Sequence, residues 1–419
     1  MSHFPEKIIP ILDKIVLVAL FLFTAFSLFS ISITQVVGGI GGMAWLLRSH
    51  ISGSWHEQRW PLGVPFLLFI LACLVAVIDA YDISYSYKSL KKIFEILIFF
   101  WVVNCARENR LRDSLSILLI SAATLASLHG LYQGWRDGVT IMTRVEGAMS
   151  VYMTFAGLLM LVGTTALARA LFKRPREAWL WLAIVTILAC LLITFTRQAW
   201  FGFLLGFFFL VFAWKRKLAL TLAGMILVSL LIYGSQIQSQ VSSMTTQKDP
   251  PFTERTTGVV NVLNHRISRL ISGQDENLLI RIALWKGAWE IFKDHPLTGC
   301  GFRCVDLVNS QYPDPTGHIK KYRGMHNNFV QLAVDTGILG LSAWLGIWVV
   351  FFRLLYARTK DFKVDPSEKW VVFGSSAAGI AFLAGGCFES NFYDSEVVMA
   401  LYLIMALPFA GSRPEELAS

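Results

Sequence analysis

The sequence predicts an all-α polytopic membrane protein of about twelve transmembrane helices, with one long hydrophilic loop between the ninth and the tenth. Three observations carry this. Only 16% of the 419 residues are charged against 55% hydrophobic, and mean hydropathy is +0.56, whereas a soluble domain carries about a quarter charged residues. The apolar residues fall in runs of roughly twenty; in lipid the backbone must satisfy its own hydrogen bonds, so each such run is a helix. The basic residues collect in alternate short connections. The excess of 37 Lys and Arg over 28 acids is therefore an orientation signal. No soluble segment interleaves bases with exposed aromatics, so no nucleic acid is expected as a partner.

In chain order the expected spans are 14–34, 36–47, 62–79, 89–105, 113–133, 150–172, 178–195, 199–214, 217–233, 328–356, 370–388 and 394–411. The N-terminus has one Lys and no small-residue cleavage site, so the first span reads as a retained helix. The second and eighth are short, and are expected to be tilted or partly re-entrant. The cluster Gly38–Gly42 has GxxxG spacing and is expected to pack helices. With the N-terminus inside, the inner loops hold Arg48 and Arg59; Arg107, Arg110 and Arg112; Lys173, Arg174 and Arg176; Lys215, Arg216 and Lys217; and Arg353, Arg358, Lys360, Lys363 and Lys369. The outer turns hold Asp79 and Asp82, then Glu389, Asp394 and Glu396. Every loop pair obeys the positive-inside rule. The chain then divides into helices one to nine (1–233), an outward, periplasmic loop (234–327) and helices ten to twelve (328–419).

Within the loop, 234–275 is rich in Ser, Gln and Thr, with a turn at Pro250–Pro251. Residues 277–293 place Leu278, Ile282, Trp285, Trp289 and Phe292 at helical spacing, an amphipathic helix expected to lie on the membrane surface. The string DHPLTGCGF follows, with Pro296, Gly299 and Gly301 punctuating a turn. Cys300 and Cys304 lie in this outward segment, where a disulfide is chemically permitted. Cys73, Cys105, Cys190 and Cys387 fall in or beside spans as small buried hydrophobes.

A few side chains stand out against this apolar background. His326 opens HNNFVQLAVDTGILGL at the outer mouth of the tenth span: His-Asn, nine residues, then Gly337, with Gly340 three further on. An interfacial His ordinarily helps to cap a helix; the Asn327 and Gly337 spacing argues for more. Arg197 lies in LLITFTRQAWFGFLL, where one apolar run passes into the next with no loop for it to decorate. A charge there costs roughly 2.5–3.5 kcal/mol at mid-bilayer and less at the edge; the plain reading is an arginine snorkelling to the interface, but the lack of a loop points to a functional position. Arg281 sits on the amphipathic helix four residues before Trp285. Arg144 precedes the sixth span. Each alone reads as an ordinary surface arginine. Lys88, Lys91 and Lys92 open the fourth span from the outside, against the charge bias, and suit an anionic head group as well as interfacial anchoring. Asp79 and Asp82 have no His or Glu nearby to complete a metal site, and His265, His295 and His318 lack zinc-like spacing.

Three strings together, TFTRQAWFGFL around Arg197, RIALWKGAWEIFKDHPLTGCGF from Arg281 and HNNFVQLAVDTGILGL from His326, resemble the O-antigen ligase and polymerase superfamily of bacterial membrane glycosyltransferases. The likeness covers about 190–345; RVEGAMSVYMTFAG around Arg144 is also similar to a segment of that family. The resemblance implies a GT-C-like enzyme of the inner membrane that needs neither cofactor nor metal. It implies transfer of a glycan from undecaprenyl diphosphate, with inversion, to a sugar hydroxyl of lipid A-core, among membrane lipids and with the active site on the periplasmic side. His326 matches the family's functional histidine, and Arg197 and Arg281 its functional arginines. Lys91, Lys92 and Arg144 are the further candidates for the diphosphate, and Asn327 and Gly337 support the motif. The residue types suit that chemistry. An arginine fork holds growing diphosphate charge without a cation, and a histidine changes charge near neutral pH, as a base for the acceptor hydroxyl should. A polymerase of the same superfamily is expected to carry two sizeable outward loops, and a protein O-oligosaccharyltransferase a longer C-terminal region. A twelve-span transporter, the rival of another class, is expected to show two related halves.

Overall fold

The computed structural model describes residues 4–139, 143–225, 228, 276–322, 324–360 and 368–411. Residues 234–275, with the expected Pro250–Pro251 turn, most of the second half of the ninth span and the Lys91 side chain lie outside the described residues. The helices are α1 (Phe4–Phe26), α2 (Ile31–Ile51), α3 (Gly63–Ile78), α4 (Ile83–Tyr87), α5 (Ile96–Cys105), α6 (Asn109–Asp137), α7 (Tyr152–Phe172), α8 (Trp179–Ile193), α9 (Arg197–Trp214), α10 (216–225), α11 (Glu276–Asp294), α12 (Val305–Val308), α13 (His318–Tyr322), α14 (Asn328–Arg358), α15 (Lys369–Gly385) and α16 (Ser395–Ala406). Among the described residues there is no strand. Among the described residues five helices, α1 from Ile8 together with α6, α7, α9 and α14, are long and apolar enough to cross a membrane. The shorter α3, α8, α15 and α16 are also apolar. Large apolar side chains such as Val64, Ile78, Leu182 and Val349 stand out from the bundle at about 70% exposure, as a lipid-facing surface requires.

α7 is the hub: nearly all of it is buried, and it packs against α8, α9 and α15. The close approach depends on glycine. A Cβ at Gly202 would overlap Met160 and the Ala381 carbonyl, and one at Gly206 would crowd Thr164 and the Ala377 carbonyl. This Gly202–Gly206 pair brings α9 onto α15. The cluster expected to do such packing behaves differently. Gly41 sits against Trp101 and Ala19, and Gly38 against Phe23, but Gly39 and Gly42 face open space.

Two spans depart from expectation. The second is no short or re-entrant piece but a 21-residue helix, α2. Ser30 caps it, accepting from the Ile33 N–H, and the Thr34 hydroxyl donates back to the Ser30 carbonyl, so its polar start is satisfied internally. The fourth is helical only over its second half. Leu90–Glu95 winds as a tighter 3-10 segment before α5. Two lysines and Glu95 in six residues do not stack well as a membrane helix, and the Lys92 ammonium is drawn sideways to the Tyr393 carbonyl.

The bundle has two chemically distinct ends. At one, the Arg59 guanidinium donates to the Gly411 carbonyl at 2.7 Å, and Arg112 pairs with Glu368 at 2.9 Å. Arg169 forks onto Glu177 at 2.6 and 2.8 Å, and Lys173 pairs with Asp113. The basic connections therefore meet there. At the opposite end meet 79–92, Arg144, Arg197, 296–304, His326 and 387–394, as their contacts below establish.

There α14 is broken at Gly337 (φ 62°, ψ −166°). The DHPLTGCGF string lies in the break and takes up the freed backbone groups. The Ile338 and Leu339 N–H groups donate to the Pro296 and Leu297 carbonyls at 2.9 and 3.2 Å. In return the Cys300 and Gly301 N–H groups donate to the Val334 and Asp335 carbonyls at 2.9 and 3.1 Å. A Cβ at Gly337 would overlap the Leu297 carbonyl, and the backbone there is left-handed. The two strings singled out in the sequence are thus halves of one device. Gly337→Ala is expected to lower thermal stability by about 1–3 kcal/mol or more, read as a loss of melting temperature in detergent; an unchanged melting temperature would show that the break is not strained against its neighbour.

The Asp79–Asp82 turn clamps this device. Thr298 donates its hydroxyl to Asp79, the Tyr81 N–H donates to the Cys300 carbonyl at 3.1 Å, and Asp82 caps α4. Cys300 and Cys304 are joined as a disulfide, Cα to Cα 5.7 Å. The amphipathic helix α11 leaves Ile282 and Trp289 of the stripe expected at the membrane surface exposed, and buries a second apolar face on protein. Ile280, Leu284, Ala288 and Ile291 pack against Val305, Ile319, Met325 and Val334. Leu279, Ile282 and Trp289 are exposed, with Phe292 stacked on Trp289. The loop has a core of its own, so α11 needs one apolar face for protein and leaves a second outside.

Candidate functional site

His326 is set by its neighbours on both sides. Trp285 of α11 donates its indole N–H to the Met325 carbonyl at 2.9 Å, and the Met325 N–H donates to Gln331 Oε1 at 2.9 Å. Asn327 then caps α14, accepting from the Phe329 and Val330 N–H groups, and donates its amide to the Cys387 carbonyl. Between these anchors His326 takes a left-handed backbone, φ 46°, uncommon for a side chain of its size. That conformation turns its ring toward the connection between α15 and α16.

The connection, Cys387–Asp394, holds the site together. Glu389 Oε1 lies 3.2 Å from His326 Nδ1, and Glu389 Oε2 accepts from Gln198 Nε2 at 3.4 Å. Gln198 directly follows Arg197, which begins α9, so Glu389 spans from the histidine to the arginine helix. Asn391 and the Phe392 N–H engage the buried Asn328 amide. The Tyr393 hydroxyl donates to Asp335 at 2.6 Å, and Asp335 also accepts from Gln331. Lys92 donates to the Tyr393 carbonyl and lies 5.3 Å over its ring. Thr154, at the start of α7, donates to Asp394.

Arg144 packs its guanidinium 4.4 Å over the Tyr152 ring. Burial, and the positive charge of Arg197 nearby, pull it below the ordinary guanidinium range. Two guanidiniums held close together at the positive start of a helix make a strongly electropositive corner. Arg281 lies one turn before Trp285 on α11, the helix that holds the residue before His326. Arg144, Arg197, Lys92, His326 and Asn327 are therefore brought to one end, with Arg281 on the element that flanks them. Gly337 is apart from the charges and serves the break in α14. Lys88 is exposed.

Glu389 and Gln198 escaped the sequence reading. Glu389 looked like any acid of an outer turn, and only the run of Glu, Ser, Asn and Asp in seven residues (FESNFYD) hinted at a polar hub. Chemically, a carboxylate on Nδ1 fixes a tautomer with the proton there and leaves Nε2 with a lone pair. Among the described residues, no group of three or more His, Cys, Asp or Glu is placed to hold a metal ion.

Residues 182–345 match a family model described as O-antigen ligase. No curated protein matches the chain. The matched stretch runs from α8 past the break in α14 and includes Arg197, Arg281, His326, Asn327 and Gly337; Lys92, Arg144 and Glu389 lie outside it. The matched segment contains both halves of the interlocked α14 device and is set among apolar helices, and it is similar over that stretch to the O-antigen ligase superfamily, whose members are glycosyltransferase-like membrane enzymes.

Proposed function

We propose that this protein is an O-antigen ligase of the bacterial inner membrane, with about twelve spans and the 234–327 loop on the periplasmic side. It moves a glycan from undecaprenyl diphosphate to a sugar hydroxyl of lipid A-core, with inversion and without a metal. One observation supports this above the others: Glu389 joins His326 to the residue beside Arg197, so a base and a diphosphate cation share one small site. His326 Nε2 takes the proton of the acceptor hydroxyl as its oxygen bonds to the anomeric carbon. The bond from that carbon to the diphosphate oxygen breaks, and its electron pair leaves with the diphosphate. Arg197, Arg281 and Arg144 hold the charge that grows there, with Lys92 adding a point charge. Attack opposite the leaving group inverts the centre.

The experiment is deletion of the gene, with lipopolysaccharide run on a gel. Bare core, with glycan stranded on its lipid carrier, is expected. Core bearing a single repeat would assign the chain to polymerisation. A second expectation concerns metals: purified protein transfers glycan at full rate in excess EDTA. Loss of activity in chelator, restored by Mg²⁺ or Mn²⁺, would overturn the arginine clamp.

A further inference from the structure

A cavity of about 390 Å³ lies between α2 and α5, lined by Gly39, Gly42, Met43, Leu97 and Trp101, with Lys92 at its outer end. Its floor exists because α2 has no side chains there: a Cβ at Gly39 or Gly42 would meet nothing within 4 Å. Its exposed rim holds Met43 at 66% and Phe94 at 69% exposure together with the polar Gln35. Ser395 also lines the cavity and follows directly on the Cys387–Asp394 connection, so the cavity opens beside the candidate site.

We infer that this cavity seats the first isoprene units of the donor's polyprenyl chain, where that chain leaves the diphosphate. The inference rests on the proposed ligase reading and deepens it. The occupant is chosen by size and charge. An apolar cavity of about 150 Å³ holds a benzene, so this one takes roughly three isoprene units of a single slim chain. A lipid with several acyl chains is too broad for it. The cationic end at Lys92 meets the phosphate end of the chain, with Glu95 the one acid on the lining. The rest of the tail runs on into lipid.

The test is donor kinetics on Gly39→Leu and Gly42→Leu, which put a side chain into the cavity at positions where a Cβ meets no neighbour within 4 Å. The control is Gly346→Leu, at another glycine with nothing within 4 Å, which lines a lipid-facing groove between α3 and α14. Two glycan donors are compared, one with a full-length polyprenyl chain and one with a single isoprene unit on the diphosphate. The cavity variants are expected to raise KM for the long donor roughly three- to tenfold; the effect is modest because a chain leaving lipid gains packing and no hydrophobic transfer. The short donor, and the control variant with either donor, keep wild-type KM. Equal KM changes for both donors, or a change confined to the KM of the acceptor lipid, would overturn the cavity assignment while leaving the ligase reading intact. Absence of transfer by the wild-type protein from either donor would remove the ligase reading itself, and the inference with it.

Discussion

His326→Ala is expected to bind the lipid-linked donor as wild type does while turnover falls by about 10²–10⁴-fold, the usual worth of a positioned base. The residues proposed to hold the diphosphate all lie on other elements: Arg197 on α9, Arg281 on α11, Arg144 before α7 and Lys92 before α5. Removing the imidazole leaves them in place. Glu389→Gln keeps the volume and one acceptor oxygen but loses the charge that fixes the Nδ1 proton, so its turnover falls as well, by less than that of the His326 variant. Donor binding measured beside single-turnover transfer in one detergent separates the roles. Should His326→Ala lose donor binding as badly as the arginine variants, its role is phosphate recognition and the base lies elsewhere.

For Arg197→Lys the expected outcome is loss of both donor binding and rate, with transfer down by about 10²–10³-fold, the effect of removing one electrostatic donor to a developing oxyanion. Lysine keeps the charge and loses the planar fork that takes two diphosphate oxygens at once. Arg281→Lys should follow in the same direction and less steeply. Arg197 is half-buried at the start of α9, at the end where the helix's own N–H groups point outward, and Arg144 is too close to gain a second cation's place. An Arg197→Lys enzyme with wild-type KM and rate would remove the fork from the mechanism and leave only net charge to account for binding.

Much of the fold was legible because helix and lipid obey local rules. α6, α7, α8, α14 and α15 begin and end within a few residues of their apolar runs, and the Asn327 cap is written in HNNF. Arg197 was legible by itself, because a charge between apolar runs is expensive wherever the chain goes, whereas Arg281 and Arg144 stood out only through the strings that resemble a known family. What escaped was tertiary. Glu389 meets His326 across 63 positions and Gln198 across 191, and no periodicity records such a pairing. The break at Gly337 was marked by spacing alone, while its cause lies in the backbone of 296–301. The second apolar stripe of α11, which packs on the loop's own core, escaped because only the stripe through Ile282 and Trp289 was followed along the helix. Of the α2 glycines, Gly38 and Gly41 pack helices as expected while Gly39 and Gly42 leave a space, and the two kinds look alike on paper.

The dependence of the site on the Cys387–Asp394 connection carries a consequence for how the protein is made. Synthesis runs from the N-terminus, so Arg144, Arg197, Arg281 and His326 are all translated before Glu389 and Tyr393. A nascent chain lacking α15 has every cation and the imidazole, but nothing to fix the ring or to tie α9 to α14. On the proposed ligase reading, competence to handle a donor therefore arrives late and at once, with the last two helices, and a half-built protein stays inert toward the glycan carriers around it.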